Sequence, residues 1–317
     1  MAAVFCVYLA VAQKGLPAVG KIDKADLEMT DCDFDKGADA VKLIDWGNMY
    51  YDRGTAGIST FKTIYERRIR IKILKEKGLS QADVKITYFG KNDNEKLLKL
   101  EAYTYNLDAG GNVQVTEVKK SSMFNKKIDG ERNQVIITFP EVKVGSVIEY
   151  RYRMDREDYN LRDWVFQDRI PVRYSEYQLT VPRFFRFTVQ EAVVDPMDKK
   201  ESVITERINI EDNFIETESL KSNYVMRNLP GIPVEPFMGS AWDYVQRLDF
   251  TMSQYESGNG VVRDLRVKWS DAINDLNEDP DFGKQLESSL LATVPIVEKA
   301  KLIKDQRARV KFLHTTV

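Results

Sequence analysis

Over residues 132–154 the chain alternates apolar and polar positions twice. Val135, Ile137 and Phe139 are interleaved with Ile136 and Thr138, and Ile148, Tyr150, Tyr152 and Met154 stand opposite Glu149, Arg151 and Arg153. A period of two with one greasy face predicts two half-buried strands. Pro140 presets φ and Gly145 tolerates positive φ, so the residues between read as a turn and the two runs as an antiparallel pair. Similar runs recur at 41–45, 58–74, 84–89, 97–107, 112–118, 185–193, 203–210, 214–220, 224–228 and 244–255. Turns such as 108–112 separate them, the spacing of a sandwich or barrel. Three prolines make 229–236 an extended crossover.

Within 58–74, Phe61, Tyr65, Ile69, Ile71 and Ile73 share one face, and Lys62, Glu66, Arg68, Arg70 and Lys72 the other, which reads as a solvated outer face. A second aromatic run places Trp164 and Phe166 just before Tyr174 and Tyr177, with Pro182 marking an edge strand or a crossing between sheets. Exposed, these four aromatics would form a ligand platform for glycan or extended peptide; buried, they are core, and the alternation favours core.

Near Arg266 the period changes. Trp269, Ile273 and Leu276 stand four and three apart; Asp279-Pro280 supplies an N-cap and a first-turn proline; Phe282, Leu286 and Leu290 repeat at four. A last stripe of Ile303, Val310, Leu313 and Val317 runs beside Lys301, Lys304, Arg307, Arg309 and Lys311. The expected layout is therefore a mainly β, antiparallel β-sandwich at 26–258 followed by a short helical segment at 266–317.

Composition narrows the chemistry. At 317 residues the chain has room for roughly two domains. Lys plus Arg total 47 against 49 for Asp plus Glu, so no net field favours nucleic acid or an anionic membrane. Histidine occurs once, at His314, and cysteine twice, at Cys6 and Cys32. Nucleophilic systems that rely on imidazole and His/Cys zinc sites have almost nothing here to be built from, and two cysteines make no disulfide framework. Asp31, Asp33 and Asp35 imitate the start of a calcium loop, but Lys36 and Lys42 stand where an EF-hand needs Gly and a bidentate Glu, so a polar turn is expected. No metal or cofactor is predicted. A carboxylate-only enzyme such as a glycosidase is compatible with the composition, yet no pair of acidic residues is singled out.

Residues 2–12 form an apolar run ending in Ala10-Val11-Ala12, the pattern of a secretory signal although a basic n-region is lacking. It is too short to span a bilayer. The expectation is export, to the periplasm, cell surface or exterior. Cleavage would remove Cys6 and leave Cys32 as a small buried hydrophobe.

Several motifs then fall in register. Pro140-Glu141-Val142 with Val144-Gly145-Ser146-Val147-Ile148-Glu149-Tyr150, Trp164-x-Phe166-Gln167-x-x-Ile170-Pro171-Val172 and Tyr174-Ser175-Glu176-Tyr177 resemble the bacterial domain-of-unknown-function 3857 family, which precedes a transglutaminase-like core. Ala102-Tyr103-Thr104-Tyr105-Asn106-Leu107, Asn228-Leu229-Pro230 with Glu235-Pro236-Phe237-Met238, and Asp279-Pro280-Asp281-Phe282-Gly283 agree in order. The resemblance runs from about Asp26 to the C-terminus. It implies an exported protein, a sandwich of immunoglobulin-like kind and, downstream, a papain-like core with a Cys-His-Asp triad. Residues 307–317 are similar to the opening helix of that core, so no catalytic residue is carried over and His314 is read as a helix-surface or interface residue.

Two functions follow as expectations. One is a non-catalytic exported accessory domain that positions or presents substrate to a transglutaminase-like hydrolase core. The other is an independent glycan- or peptide-binding module of the cell envelope, using Trp164, Phe166, Tyr174 and Tyr177 or a free sheet edge.

Overall fold

Alternating β-branched and aromatic side chains can bury one face of a strand, and a wide sheet of such strands must be covered by a second layer. A computed structural model shows how this chain does so; it describes residues 16–54, 61–91, 94–205, 217–232, 238–256, 260–266, 268–286 and 293–316. The apolar run at 2–12 with Cys6, the stretch 206–216, Glu235-Pro236-Phe237, Leu290 and Val317 lie outside the described residues. The strands in chain order are β1 (Ala40–Arg53), β2 (Phe61–Ile73), β3 (Asp83–Phe89), β4 (Glu95–Leu107), β5 (Val113–Glu117), β6 (Met123–Lys127), β7 (Arg132–Thr138) and β8 (Val147–Arg156). They continue as β9 (Trp164–Val165), β10 (Val172–Pro182), β11 (Phe185–Ala192), β12 (Lys199–Thr205), β13 (Ser219–Leu229), β14 (Arg247–Glu256) and β15 (Val262–Asp264).

Eight of them form one large sheet in the order β12-β13-β10-β1-β2-β8-β4-β5. Pairing within it is antiparallel except between β1 and β10, which run parallel. Two smaller sheets, β3-β7-β6 and β11-β14-β15 with β9 paired to β14, share its hydrophobic core. Ile69, Ile148 and Tyr150 of the large sheet pack in one cluster with Ile86 and Ile137 of the first small sheet and Phe185 and Leu248 of the second. Tyr51 stacks on Phe185 with ring centroids 4.7 Å apart. The fold is thus the mainly β, antiparallel sandwich expected, with a broad sheet carrying one parallel pair.

Strands β7 and β8 are not a hairpin. β7 pairs with β3 and β6, whereas β8 pairs with β2 and β4. Residues 139–146 carry the chain from one layer to the other, so the apolar faces of the two runs meet across the core, and Phe139 comes within 6.4 Å of Tyr150 between ring centroids. Alternation identified both strands, but it cannot say whether two greasy faces lie side by side or face to face.

The outward face of the large sheet is also partly covered. Residues 16–38, with a short helix α1 (Lys24–Glu28), cross it and bury Leu27 and Cys32 against Val41, Leu43, Leu74, Tyr105 and Val147. The polar face of β2 is therefore not solvated along its length: Arg70 and Lys72 are completely buried and Arg68 nearly so. In β1 a bulge between Lys42 and Ile44 resets the alternation, turning Asp45, Gly47, Met49 and Tyr51 toward the core side and Ile44 and Trp46 outward. The carboxylates of 31–37 do not converge: Asp31 bonds Lys36, Asp33 bonds Arg173 and Asp35 accepts from the Gly231 amide.

The chain divides at Asp264 and Leu265 into two units. The second contains α2 (Trp269–Glu278), a 3₁₀ turn at Gly283–Leu286, α3 (Val294–Lys301) and α4 (Gln306–Thr316). The last helical stretch is broken at 302–305, where Asp305 accepts from the Ala308 amide at 2.6 Å and Arg309 donates to the Ile303 carbonyl. His314 lies on α4. Among the described residues no helix is long and apolar enough to cross a membrane.

Candidate functional site

The four aromatics singled out by sequence fall on two faces. Trp164 and Tyr177 stack nearly parallel at 4.7 Å, the indole N–H donates to Ser175 Oγ at 3.1 Å, and the Arg67 guanidinium sits 5.2 Å from the indole. Phe166 and Tyr177 are completely buried and Trp164 is 2% exposed. Tyr174 instead faces outward, half-buried, donating from its hydroxyl to Glu176 at 2.6 Å beneath the Arg227 guanidinium. An exposed platform of all four is not formed. The reason is parity: positions three apart on a strand point to opposite faces.

Two buried charge clusters flank the middle of the large sheet. Toward the core, Lys42 reaches Asp45 at 2.8 Å and Asp168 at 2.7 Å, and Arg67 clasps Asp45 with two hydrogen bonds of 3.0 and 2.9 Å. Burial alone would raise the Asp45 carboxyl, but the Arg67 and Lys42 charges outweigh it and hold the group below its usual range. On the outward side Glu149, fully buried, accepts from Arg68 at 2.6 Å, from Arg70 at 3.2 Å and from the Tyr105 hydroxyl. Arg68 and Arg70 also donate to the carbonyls of Pro17 and Lys21, and Lys72 to those of Leu27 and Gly145 at 2.6 and 2.7 Å. The cations of β2 thus hold the 16–29 segment on the sheet.

Lys72 gives this arrangement a pH signature. Burial pushes its ammonium down to about 8, with the Asp26 charge opposing. A lysine whose folded pKa is depressed binds fewer protons than its unfolded counterpart between those two values, so stability rises with pH there. We expect the urea midpoint to increase from pH 8 toward pH 10, the ordinary lysine range, and Lys72→Met to flatten that rise. A midpoint that falls across this window in the parent chain would contradict the assignment.

Beside the covering segment the outward face opens into a basin of about 1650 Å³. Two rows of side chains cross the outward face from strand to strand, and all but Asn48 line the basin. One runs Asn223, Gln178, Asn48, Glu66, Arg153 over β13, β10, β1, β2 and β8; the other runs Val225, Glu176, Trp46, Arg68, Arg151 over the same strands. Gln178 donates to Glu176 at 2.8 Å and Asn48 to Glu66 at 3.4 Å. The cations of the rows are already engaged: Arg151 makes two 3.0 Å bonds to Glu101, and Arg153 pairs with Asp155. Sequence reading missed this face because its members are scattered over five strands; only the outward parity of each residue signalled it. The basin offers planar amide, carboxylate and guanidinium groups for hydrogen bonding. Cys32 is buried apart from it, and among the described residues no cluster of three or more His, Cys, Asp or Glu is arranged to hold a metal ion.

Comparison with known proteins agrees with this architecture. No curated protein matches the chain. A crystal structure from Parabacteroides distasonis, described as "a putative protease", aligns with 87% of this chain at 12% identity and a TM-score of 0.52, which shows a shared fold. The chain spans 49% of that protein's length. The model of the Domain of Unknown Function with solved-structure structure (DUF3857) matches residues 60–210, from β2 to just beyond β12. Residues 60–210 of this chain are a DUF3857 domain.

Proposed function

We propose that this chain is a non-catalytic accessory β-sandwich of a transglutaminase-like hydrolase, exported to the cell envelope, that positions substrate for the hydrolase core. The observation that carries the reading is the basin: a broad polar sheet face, bounded by a segment pinned through buried ion pairs, with hydrogen-bonding groups but, among the described residues, no activated nucleophile on it. The thiol of Cys32 is buried and burial pushes its pKa up, the opposite of what a nucleophilic thiolate requires. The shared fold with part of a longer protein described as a protease supports the accessory role, and the apolar run at 2–12 supports export.

The test is turnover by the purified chain of fluorogenic peptide and isopeptide libraries, with the Cys32→Ala variant run in parallel. The expected result is background hydrolysis in both. Activity that follows the chain through purification and disappears in the variant would replace the accessory reading with a catalytic one.

A further inference from the structure

We propose that the outward basin of the large sheet binds an acidic peptide segment of about nine residues, laid across the strands with carboxylates at both ends and an apolar residue over Trp46. The proposal rests on the accessory reading and names the class of substrate such a domain would hold.

Charge selects the ligand. The basin is lined by eleven Lys and Arg side chains against four Asp and Glu. Carboxylates that answer these cations, Glu101, Glu149, Asp155 and Asp33 among them, are not part of the lining, so each of these pairs turns its positive member to the basin. Four cations in particular are open to a ligand. Lys21 and Lys99 are exposed and meet no carboxylate among the described residues. Arg227 stands 3.7 Å from Asp198 and donates no hydrogen bond among the described residues, and Lys199 pairs at 3.0 Å with an exposed Glu201. Surface pairs of that kind contribute little and exchange readily for a ligand carboxylate.

Register decides where the charges fall. Lys199, Val225, Glu176, Trp46, Arg68 and Arg151 form a continuous cross-strand row from β12 to β8, and Lys99 closes it from the bulge of β4 between Leu98 and Glu101. Trp46 is on the middle strand of these seven, so Lys199 and Lys99 stand three strands to either side of it. At ~4.8 Å per strand the two lysines are about 29 Å apart, a distance that an extended chain of about nine residues covers at ~3.3 Å each.

The middle of the basin excludes the main competitors. Glu66 and Glu176 repel an anion there, while the half-buried indole of Trp46 carries no stacked ring or guanidinium among the described residues. A nucleic acid, polyphosphate or other uniformly charged polymer would bring a negative unit to that point; a peptide can place a leucine on it. Strand addition is not available, because the backbone groups of β10, β1 and β2 are consumed by neighbouring strands on both sides. Side chains therefore make the contact, as in the recognition of acidic motifs by clustered cations.

Isothermal calorimetry of the full chain with an acetylated and amidated nonapeptide, two glutamates at each end and Gly-Ala-Leu-Ala-Gly between them, tests the proposal. The comparison probes are the same peptide with lysine for glutamate, one with the glutamates moved to the middle, and inorganic polyphosphate. The acid-ended peptide is expected to bind saturably, more tightly than any comparison probe and more weakly as salt rises. Lys99→Glu and Lys199→Glu should each weaken it about tenfold, one attraction exchanged for one repulsion, and the double variant should abolish it. If the double variant does not fold, Lys99→Gln combined with Lys199→Gln decides, with a smaller loss. No saturable binding of the acid-ended peptide at millimolar concentration, binding of any comparison probe as tightly, or an affinity unchanged in the double variant overturns the proposal and leaves the accessory reading standing. Cleavage of the bound peptide by the chain overturns the accessory reading and leaves the acidic-peptide site standing.

Discussion

Glu149→Gln is expected to lower the free energy of unfolding by about 3–5 kcal/mol, the cost of removing one partner from a buried ion pair. Glu149 has no exposed surface and meets two guanidiniums, Arg68 and Arg70, that are themselves withdrawn from water. Glutamine keeps the shape but removes the charge, leaving Arg68 beneath the 16–29 segment with a backbone carbonyl and Arg70 with a backbone carbonyl and the Asp26 carboxylate at 3.4 Å. Urea unfolding followed by far-UV circular dichroism measures the change. Glu101→Gln is the control, because its partner Arg151 is half exposed, and surface pairs of this kind contribute about 0–1 kcal/mol. The same loss should free residues 16–29 from the sheet, seen as early proteolytic cleavage there. Equal, small effects in both variants would mean that the Glu149 cluster is not held together by charge.

The second large effect is expected at the junction of the large sheet with β9. Trp164→Ala should cost about 3–5 kcal/mol, the range for deleting a buried aromatic side chain. It would remove the stack on Tyr177, the bond to Ser175 and the indole beneath Arg67 together. Gly47 lies directly under this ring: a Cβ there would stand 2.4 Å from the indole and 3.0 Å from the Tyr177 ring. Gly47→Ala should therefore destabilise the parent chain by about 1–3 kcal/mol through overpacking. In the Trp164→Ala background the cavity receives the methyl group, so the two effects should be strongly non-additive. Simple additivity in the double variant would mean that the two residues do not meet.

Both sites show where strand patterning carries information and where it stops. The alternation in 58–74 correctly divided β2 into an apolar and a charged face. It did not reveal that the charged face is buried, because the covering segment lies 45 to 51 residues earlier and its grip is made largely through backbone carbonyls, which no side-chain pattern records. The period change near Arg266 marked the helices, but Asp279-Pro280, which predicts a helix start, instead follows the end of α2, and the described residues after it form only a 3₁₀ turn at Gly283–Leu286. Of the four aromatics proposed as a platform, the counting of odd and even positions would have separated Tyr174 from Tyr177. The amide row, in contrast, brings together Asn48, Gln178 and Asn223, which no local window contains.

By itself the sequence determined that the chain is mainly β with helices at its end, which strands exist and which side of most of them is apolar. It also carried the motifs of the DUF3857 domain. These are properties of short windows, set by side-chain periodicity and turn chemistry. Only the tertiary structure decided that β7 and β8 lie in different sheets, that Arg68 and Arg70 are buried around Glu149 with Lys72 buried beside them, and that five strands line up one polar row across the outward face. Those are choices of pairing partner and layer. They are made by long-range burial and the satisfaction of buried charge, and a bulge of one residue in β1 is enough to change which side chains take part.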